Sequence, residues 1–384
     1  MNLKALKRLA PQLIAVFLII AVIGYFWNNT RLNMEYLGME FGYDFLSKAA
    51  SFDIQFSLID YDGSSPYFRA YLVGLLNTIL VSVLGIIFAT LIGLFIGVSR
   101  LSPNYLVSKL AEVYIEVFRN IPLLLQLFFW YFAVLRTLPL PENAISFGQS
   151  IFITIKGIYV PKFIWTNFNF FIVSFILAII VSFFIFSYAK KQRENYGKHF
   201  PAFWVSLGTI ILFSGSGFLF GIVNLTFEYP EIYNLTETVF NYRGGVTIIP
   251  ELLSLLFALS LYTSTFIAEN VRAGILGVGK GQKEASSSLG LTPAQTLRLV
   301  VLPQALRIII PPTTNQYLNL TKNSSLAAAI AYPDLVLVFA GTALNQTGRA
   351  IEIITITMGT YLTLSILISI FMNWYNKRIE IKEK

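Results

Sequence analysis

Apolar runs of about twenty residues, the length a helix needs to cross a bilayer, recur along the whole chain between short polar stretches. The first is "PQLIAVFLIIAVIGYFW" at 11–27, preceded by Lys4, Lys7 and Arg8. It ends in Tyr25, Phe26, Trp27 and Asn28 rather than in the small residues of a cleavage site. That predicts a retained anchor helix with its aromatics at the interface. Further runs cover 70–98, 117–135, 168–188, 202–223, 249–268, 307–330 and 350–375. The run at 307–330, "RIIIPPTTNQYLNLTKNSSLAAAI", is the most polar of the set. Together they predict an all-α polytopic membrane protein with about eight transmembrane helices. The stretches 28–66 and 137–166 lack a strong apolar pattern, carry no interpretable motif and are expected outside the membrane. No internal repeat stands out.

Composition agrees with the pattern. Of the 384 residues 55% are hydrophobic and 12% charged, against about 25% charged in soluble domains. A net charge of +8 invites a nucleic-acid reading, but the distribution of charge excludes it. With the N-terminus inside, the inner segments hold 18 Lys and Arg, while the outer segments hold 8, together with 11 acidic residues. This is the sign the positive-inside rule requires, and it places both termini in the cytoplasm. The absence of Cys excludes disulfides and thiolate chemistry, and the single His199, in a basic run, reads as a solvated loop residue. Neither a metal site nor a cofactor is expected.

The stretch "GILGVGKG", Gly274 to Gly281, comes within one residue of a phosphate-binding loop, with Gly281 where a Ser or Thr would hold magnesium. Such loops need a preceding strand and a following helix N-terminus. Here an apolar helix ending "TFIAENVRAG" precedes instead, so the glycines read as turn and cap residues. Beyond them, Glu284 to Leu289 reads as a helix rich in small side chains, stopped by Gly290. Thr292, Pro293 and Gln295 then have the form of a capping box, opening a helix expected to be interrupted at Pro303.

Polar groups inside apolar runs are costly and therefore functional candidates. Asn315, Asn319, Lys322 and Asn323 share one helical face, on which Lys322 can meet a carboxylate or pair structurally. Asn77, Thr78 and Gln126 either line a path or bond neighbouring helices. At inner helix ends, Glu116–Arg119 and Glu269–Arg272 are expected as intrahelical ion pairs, with Glu112 on the same face as Glu116.

Glu284, Ala285 and Ser286, then Gly290, then Val300, Leu302 and Pro303 resemble, in type and spacing, the cytoplasmic motif of bacterial ABC importer permeases. Ser286 and Val300 replace the usual Ala and Ile. Stretches such as "YIEVFRNIPLLLQLFFWYF" and "LPQALRIIIPPTTNQYLNLTKNSSLAAAI" extend the likeness over 70–135 and 246–376. They resemble the polar-amino-acid branch, in particular the longer permease subunits of general L-amino-acid importers.

The resemblance implies a type I importer core moving amino acids, with no ATPase site of its own. The implied partners are a second, different permease, two cytoplasmic ATP-binding subunits and an extracytoplasmic binding protein, all at the inner membrane. Glu284, Ala285, Ser286, Gly290, Leu302 and Pro303 would couple to the ATPase. The expected division is an anchor and outer segment (1–69), a first core part (70–136) and an insertion with two extra spans (137–245). A second core part (246–376), holding the coupling loop 270–306, and a tail (377–384) complete it. A gradient-driven secondary transporter is the alternative, though it calls for an inverted repeat, and a scaffold without transport would not need the polar stripe.

Overall fold

The computed structural model describes residues 3–36, 42–148, 150–197, 200–236 and 239–379. The chain forms two compact units, one of 1–127 with 255–384 and the other of 128–254.

The first unit is helical. It contains α1 (Leu3–Tyr36), α2 (Tyr67–Ser99), α3 (Tyr105–Asn120) and the start of α4 (Leu123–Phe128). Most of α7 (Pro250–Leu276) follows, then α8 (Lys280–Ser288), α9 (Pro293–Thr296), α10 (Leu302–Asn323), α11 (Leu344–Thr347) and α12 (Ala350–Ile379). The span of α1 has none of its residues buried by the rest of the chain.

Helix α7 is the inner wall, with Leu255, Ala258, Leu259, Ile267, Ala268 and Val271 all nearly inaccessible. Helix α2 reaches it through Gly93 and Gly97. A Cβ on Gly93 would lie 2.7 Å from Ile267 Cβ, and one on Gly97 2.7 Å from the Ala268 carbonyl oxygen. Small residues at i and i+4 let two membrane helices touch backbone to backbone, which replaces the missing hydrophobic drive between helices in lipid. On the same helix Gly85 admits Leu320 of α10, and Gly74 admits the backbone at Leu335.

The segment after α10 runs through a 3₁₀ stretch (Ser324–Ile330) and a π-helical stretch (Val336–Ala343) into α11. Phe339, Leu335 and Val338 form a core there with Tyr67 and Ala70 of α2 and with Phe45 and Ala50 of the outer segment. Asp334 caps the π-helical stretch: its side chain is fully buried, accepts from the Leu337 N–H at 2.8 Å and lies 3.4 Å from the Tyr361 hydroxyl. Burial pushes its carboxyl up to about 7, against the opposing effect of the helix N–H donors.

Among the described residues six helices are long and apolar enough to cross a membrane, or seven if a bent pair counts as one span. The bent pair is where a straight span was expected at 117–135. Tyr105–Asn120 and Leu123–Thr137 meet at 102°. Pro122 holds Ile121 extended at φ −87°, ψ 128°, which ends α3 one residue earlier. The run at 307–330 is not in that set; its helix, α10, is too polar to qualify by composition.

The second unit departs from a purely helical plan. After the end of α4 it carries strands β1 (Ile145–Phe147), β2 (Ile151–Thr154), β3 (Gly157–Val160) and β4 (Lys162–Trp165). The hairpin of α5 (Phe168–Tyr196) and α6 (Ala202–Leu219) comes next, then β5 (Leu225–Glu228), β6 (Glu231–Thr236), β7 (Val239–Arg243) and β8 (Val246–Ile248). One sheet has the antiparallel order β1-β2-β3-β8, while β4 pairs β5 and β6 pairs β7. The sheet is pinned by aromatic packing, with Tyr242 stacked on Phe152 at 4.5 Å and against Tyr159 at 4.8 Å. Helices α5 and α6 bury a seam of small residues, Ser174, Ala178 and Ser182 with Ala202, Ser206 and Gly217. Their Phe and Ile side chains face outward, as lipid allows.

Candidate functional site

Helix α8 contains Glu284, Ala285 and Ser286 and ends in a two-bond turn at Gly290. The Gly290 N–H donates to the Ser287 carbonyl at 2.9 Å and the Leu291 N–H to the Ser286 carbonyl at 3.1 Å. This is a Schellman closure, with Gly290 at φ +75° in the left-handed region. The expected capping box is present: the Thr292 N–H donates to Gln295 Oε1 at 2.9 Å, and the Gln295 N–H returns to Thr292 Oγ1 at 3.4 Å. Ser286 is buried, and its hydroxyl lies 3.0 Å from that of Thr296 in α9. The residue that replaces the usual Ala thus ties the two short helices together. Glu284, Ala285, Ser287, Ser288 and Leu289 have most of their surface free or half free, with Leu289 82% exposed.

The second helix is not interrupted at Pro303. A π-helical turn (Leu297–Val301) leads directly into α10, whose first turn holds Leu302 and Pro303, where a missing N–H is tolerated. A groove of about 320 Å³ runs between α8 and this turn, lined by Lys283, Ser287, Leu291, Thr296 and Leu297 among others.

Gly274 lies inside α7, and a Cβ there would collide with Ile309 Cγ1. Gly277 donates to the Ala273 carbonyl, Gly279 caps α8 and Gly281 is within it. The glycines therefore serve helix packing and caps, and a helix, not a strand, precedes them.

The polar residues of the spans separate into two groups. Asn77 is fully buried and donates from Nδ2 to the carbonyls of Phe56 and Pro333 at 2.9 and 2.8 Å. Thr78 Oγ1 accepts the Leu335 N–H at 3.0 Å. Gln126 Nε2 donates to the carbonyls of Phe118 and Ile121 at 2.7 and 2.9 Å, closing the end of α3 at the bend. Of the two roles weighed for these three residues, these hydrogen bonds are of the kind that ties neighbouring segments together. Asn315, Asn319 and Lys322 are all exposed and Asn323 half exposed, on the face of α10 opposite buried Ile309, Thr313, Leu320 and Thr321.

A charged cluster, whose members the sequence paired only within single helices, gathers the residue after α2 with α3 and α7. Arg100 Nη1 is 3.1 Å from Glu112 Oε2, which Lys109 also approaches at 3.3 Å. Arg272 forks onto Glu269, with Nε 3.1 Å from Oε2, as expected. No ion pair joins Glu116 and Arg119 among the described residues; both line a 230 Å³ recess beside the Glu269–Arg272 pair. The recess groups come from residues 100, 112–119 and 269–272, so far apart in the chain that their proximity left no signal there. His199 falls outside the described residues, and no group of three potential metal ligands occurs among those described.

The family model "binding-protein-dependent transport system inner membrane component" matches residues 199–381. The chain is 48% identical to the amino-acid ABC transporter permease YhdX of Escherichia coli K12, over 97% of this chain and 94% of that one. It is 46% identical to the general L-amino acid transport system permease AapQ of Rhizobium johnstonii, over 96% and 92%. With the glutamate/glutamine/aspartate/asparagine permease BztB of Rhodobacter capsulatus it shares 40% identity over 98% and 95%.

Proposed function

The chain belongs to the family of amino-acid ABC transporter permeases, and we propose how its helices divide the work of import. It is a translocation subunit of the inner membrane, and ATP hydrolysis resides in separate subunits. Family membership removes the gradient-driven and scaffold readings.

The polar face of α10 carries the proposal. Lys322 stands about 22 Å along the helix from Arg307, at 1.5 Å per residue, and so lies within a hydrocarbon layer of about 30 Å. Asn315, Asn319 and Lys322 are exposed on that face. A Lys facing lipid costs roughly 2.5–3.5 kcal/mol on insertion scales at the helix centre and less toward the boundary, so it remains unfavourable there without a polar neighbour. The face therefore meets a second permease subunit across an aqueous path, where Lys322 attracts the carboxylate of a passing amino acid. Glu284 to Gly290, with Leu302 and Pro303 setting the following helix, engage an ATP-binding subunit. An extracytoplasmic binding protein delivers the substrate, and both termini lie in the cytoplasm, a placement that the charge asymmetry of the loops supports.

The chain has no native Cys, so single cysteines report without background. In the assembled transporter, Cys at 315, 319 or 322 should react with a hydrophilic maleimide, and Cys at Met358 or Leu362, exposed on α12, should not. Equal, low reactivity at all five positions would refute the aqueous face.

A further inference from the structure

The hairpin β6–β7 and the end of β5 enclose a recess of about 520 Å³, lined by Phe227, Glu228, Tyr229, Glu231, Tyr233 and Arg243 with Ile232 and Gly244. Glu231 and Arg243 are register partners across the two strands. Opposite charges at such positions normally pair. Here the side chains of Glu228, Glu231 and Arg243 are exposed, and none of the three side chains makes a hydrogen bond or ion pair with any described residue. The recess is held open by its backbone. A Cβ on Gly244, at φ +78°, would lie 2.9 Å from the Tyr229 carbonyl oxygen and 3.3 Å from Glu228 Oε1. Any side chain there would displace the Glu228 carboxylate.

We propose that this recess binds a free α-amino acid as its zwitterion, on the outer side of the membrane. Arg243 presents a planar fork of donors suited to a carboxylate. Glu228 and Glu231 accept from the α-ammonium, and the rings of Tyr229 and Tyr233 add attraction for the same cation. One carbon of the ligand carries both charges, which matches opposite charges on adjacent strands. Phe227 and Ile232 offer only apolar wall to the side chain, so the site recognises the group common to all amino acids and is broad in selectivity. It is separate from the α10 face and rests on the reading above only for its outward placement.

The test uses the full chain in nanodiscs and titration calorimetry with L-glutamine. Two comparators each lack one charge: glutaramic acid has no ammonium and γ-aminobutyramide no carboxylate. Each titration is repeated in Lys322→Gln, which removes the charge from the membrane path. Wild type and Lys322→Gln should bind L-glutamine and neither comparator. Arg243→Gln and the Glu228→Gln/Glu231→Gln pair should each weaken binding roughly tenfold or more, the loss expected for a charge-assisted contact. These exposed substitutions leave the fold intact, checked by circular dichroism.

No binding at millimolar concentrations, binding unchanged in Arg243→Gln, or binding abolished by Lys322→Gln alone would each overturn the proposal. So would a recess that answers only to an extracytoplasmic binding protein, which would make it a docking surface. Labelling of Ile232→Cys from the cytoplasmic side alone would overturn the outward placement and the proposal with it, leaving the α10 reading to its own cysteines.

Discussion

Gly290 separates backbone geometry from contact with a partner. It sits at φ +75°, and a Cβ there would meet nothing within 4 Å inside the chain. The cost of Gly290→Ala in the free chain is therefore conformational, about 1–2 kcal/mol for an L-residue in the left-handed region. If α8 must end in this turn to engage the ATP-binding subunit, that cost lowers the population of the competent loop roughly 5- to 30-fold. Asn tolerates the left-handed region better than Ala, though it has the larger side chain. Geometry alone therefore predicts that Gly290→Asn retains more activity than Gly290→Ala. Close packing against a partner predicts the reverse order, because size then dominates. The assay is affinity of the solubilised permease for its purified ATP-binding subunit, with amino-acid uptake in parallel. Wild-type affinity and uptake in Gly290→Ala would refute the requirement for the Schellman turn.

Gly93→Val should overpack the contact of α2 with Ile267 and cost about 1–3 kcal/mol, seen as a lowered melting temperature in detergent; an unchanged melt would mean that the α2–α7 contact is loose. Ser286→Ala should leave the Thr296 hydroxyl without its buried partner at a cost of about 1 kcal/mol. A Ser286→Ala/Thr296→Val cycle should recover part of that loss, and strict additivity would show the two hydroxyls to be uncoupled. Asp334, with its folded carboxyl pushed up to about 7 from an unfolded value of 3.8, holds its proton in the folded state over that window. Stability should thus fall as pH rises from about 4 to about 7 and level off above it. Asp334→Asn should flatten that slope, and an unaltered slope in thermal melts would assign the dependence to other groups.

Where local chemistry decides structure, the chain was readable. Thr292 and Gln295 form their capping box, and Gly290 stops α8, because caps depend on neighbours in sequence. Pro122 was visible as well, yet its bend was missed, because an apolar run says nothing of direction and a proline forces its predecessor out of the helix. The strands between 145 and 248 were missed for a different reason. They are three to six residues long, and several, such as β1 and β5, are exposed along their whole length, so no buried period marks them. Asn77, Thr78 and Gln126 could be read as path residues or as bonds between helices, because polarity in a span is visible in sequence but its partners are not. The carbonyls they serve, at Phe56, Pro333 and Phe118, become neighbours only in the fold.

The same long-range contacts explain how a push on α8 can reach the membrane. Ser286 bonds Thr296, so α8 and α9 move as one piece. That piece continues through an unbroken π-helical turn into α10. On its other side α8 joins α7, and Gly274 seats Ile309 of α10 so closely that α7 and α10 are in contact through it. The proposed coupling loop is thus anchored at both ends to helices that touch each other, one carrying Glu269 and Arg272 and the other the polar face with Lys322. A displacement at Glu284 passes through two short turns, at 277–279 and 289–292, and then through a buried hydrogen bond, a continuous helix and a glycine contact. Lengthening one link should therefore uncouple the two events. Insertion of two residues between Gly290 and Thr292 should preserve amino-acid access to the α10 face in cysteine labelling while abolishing uptake. Retained uptake would mean that the loop's rigidity is incidental.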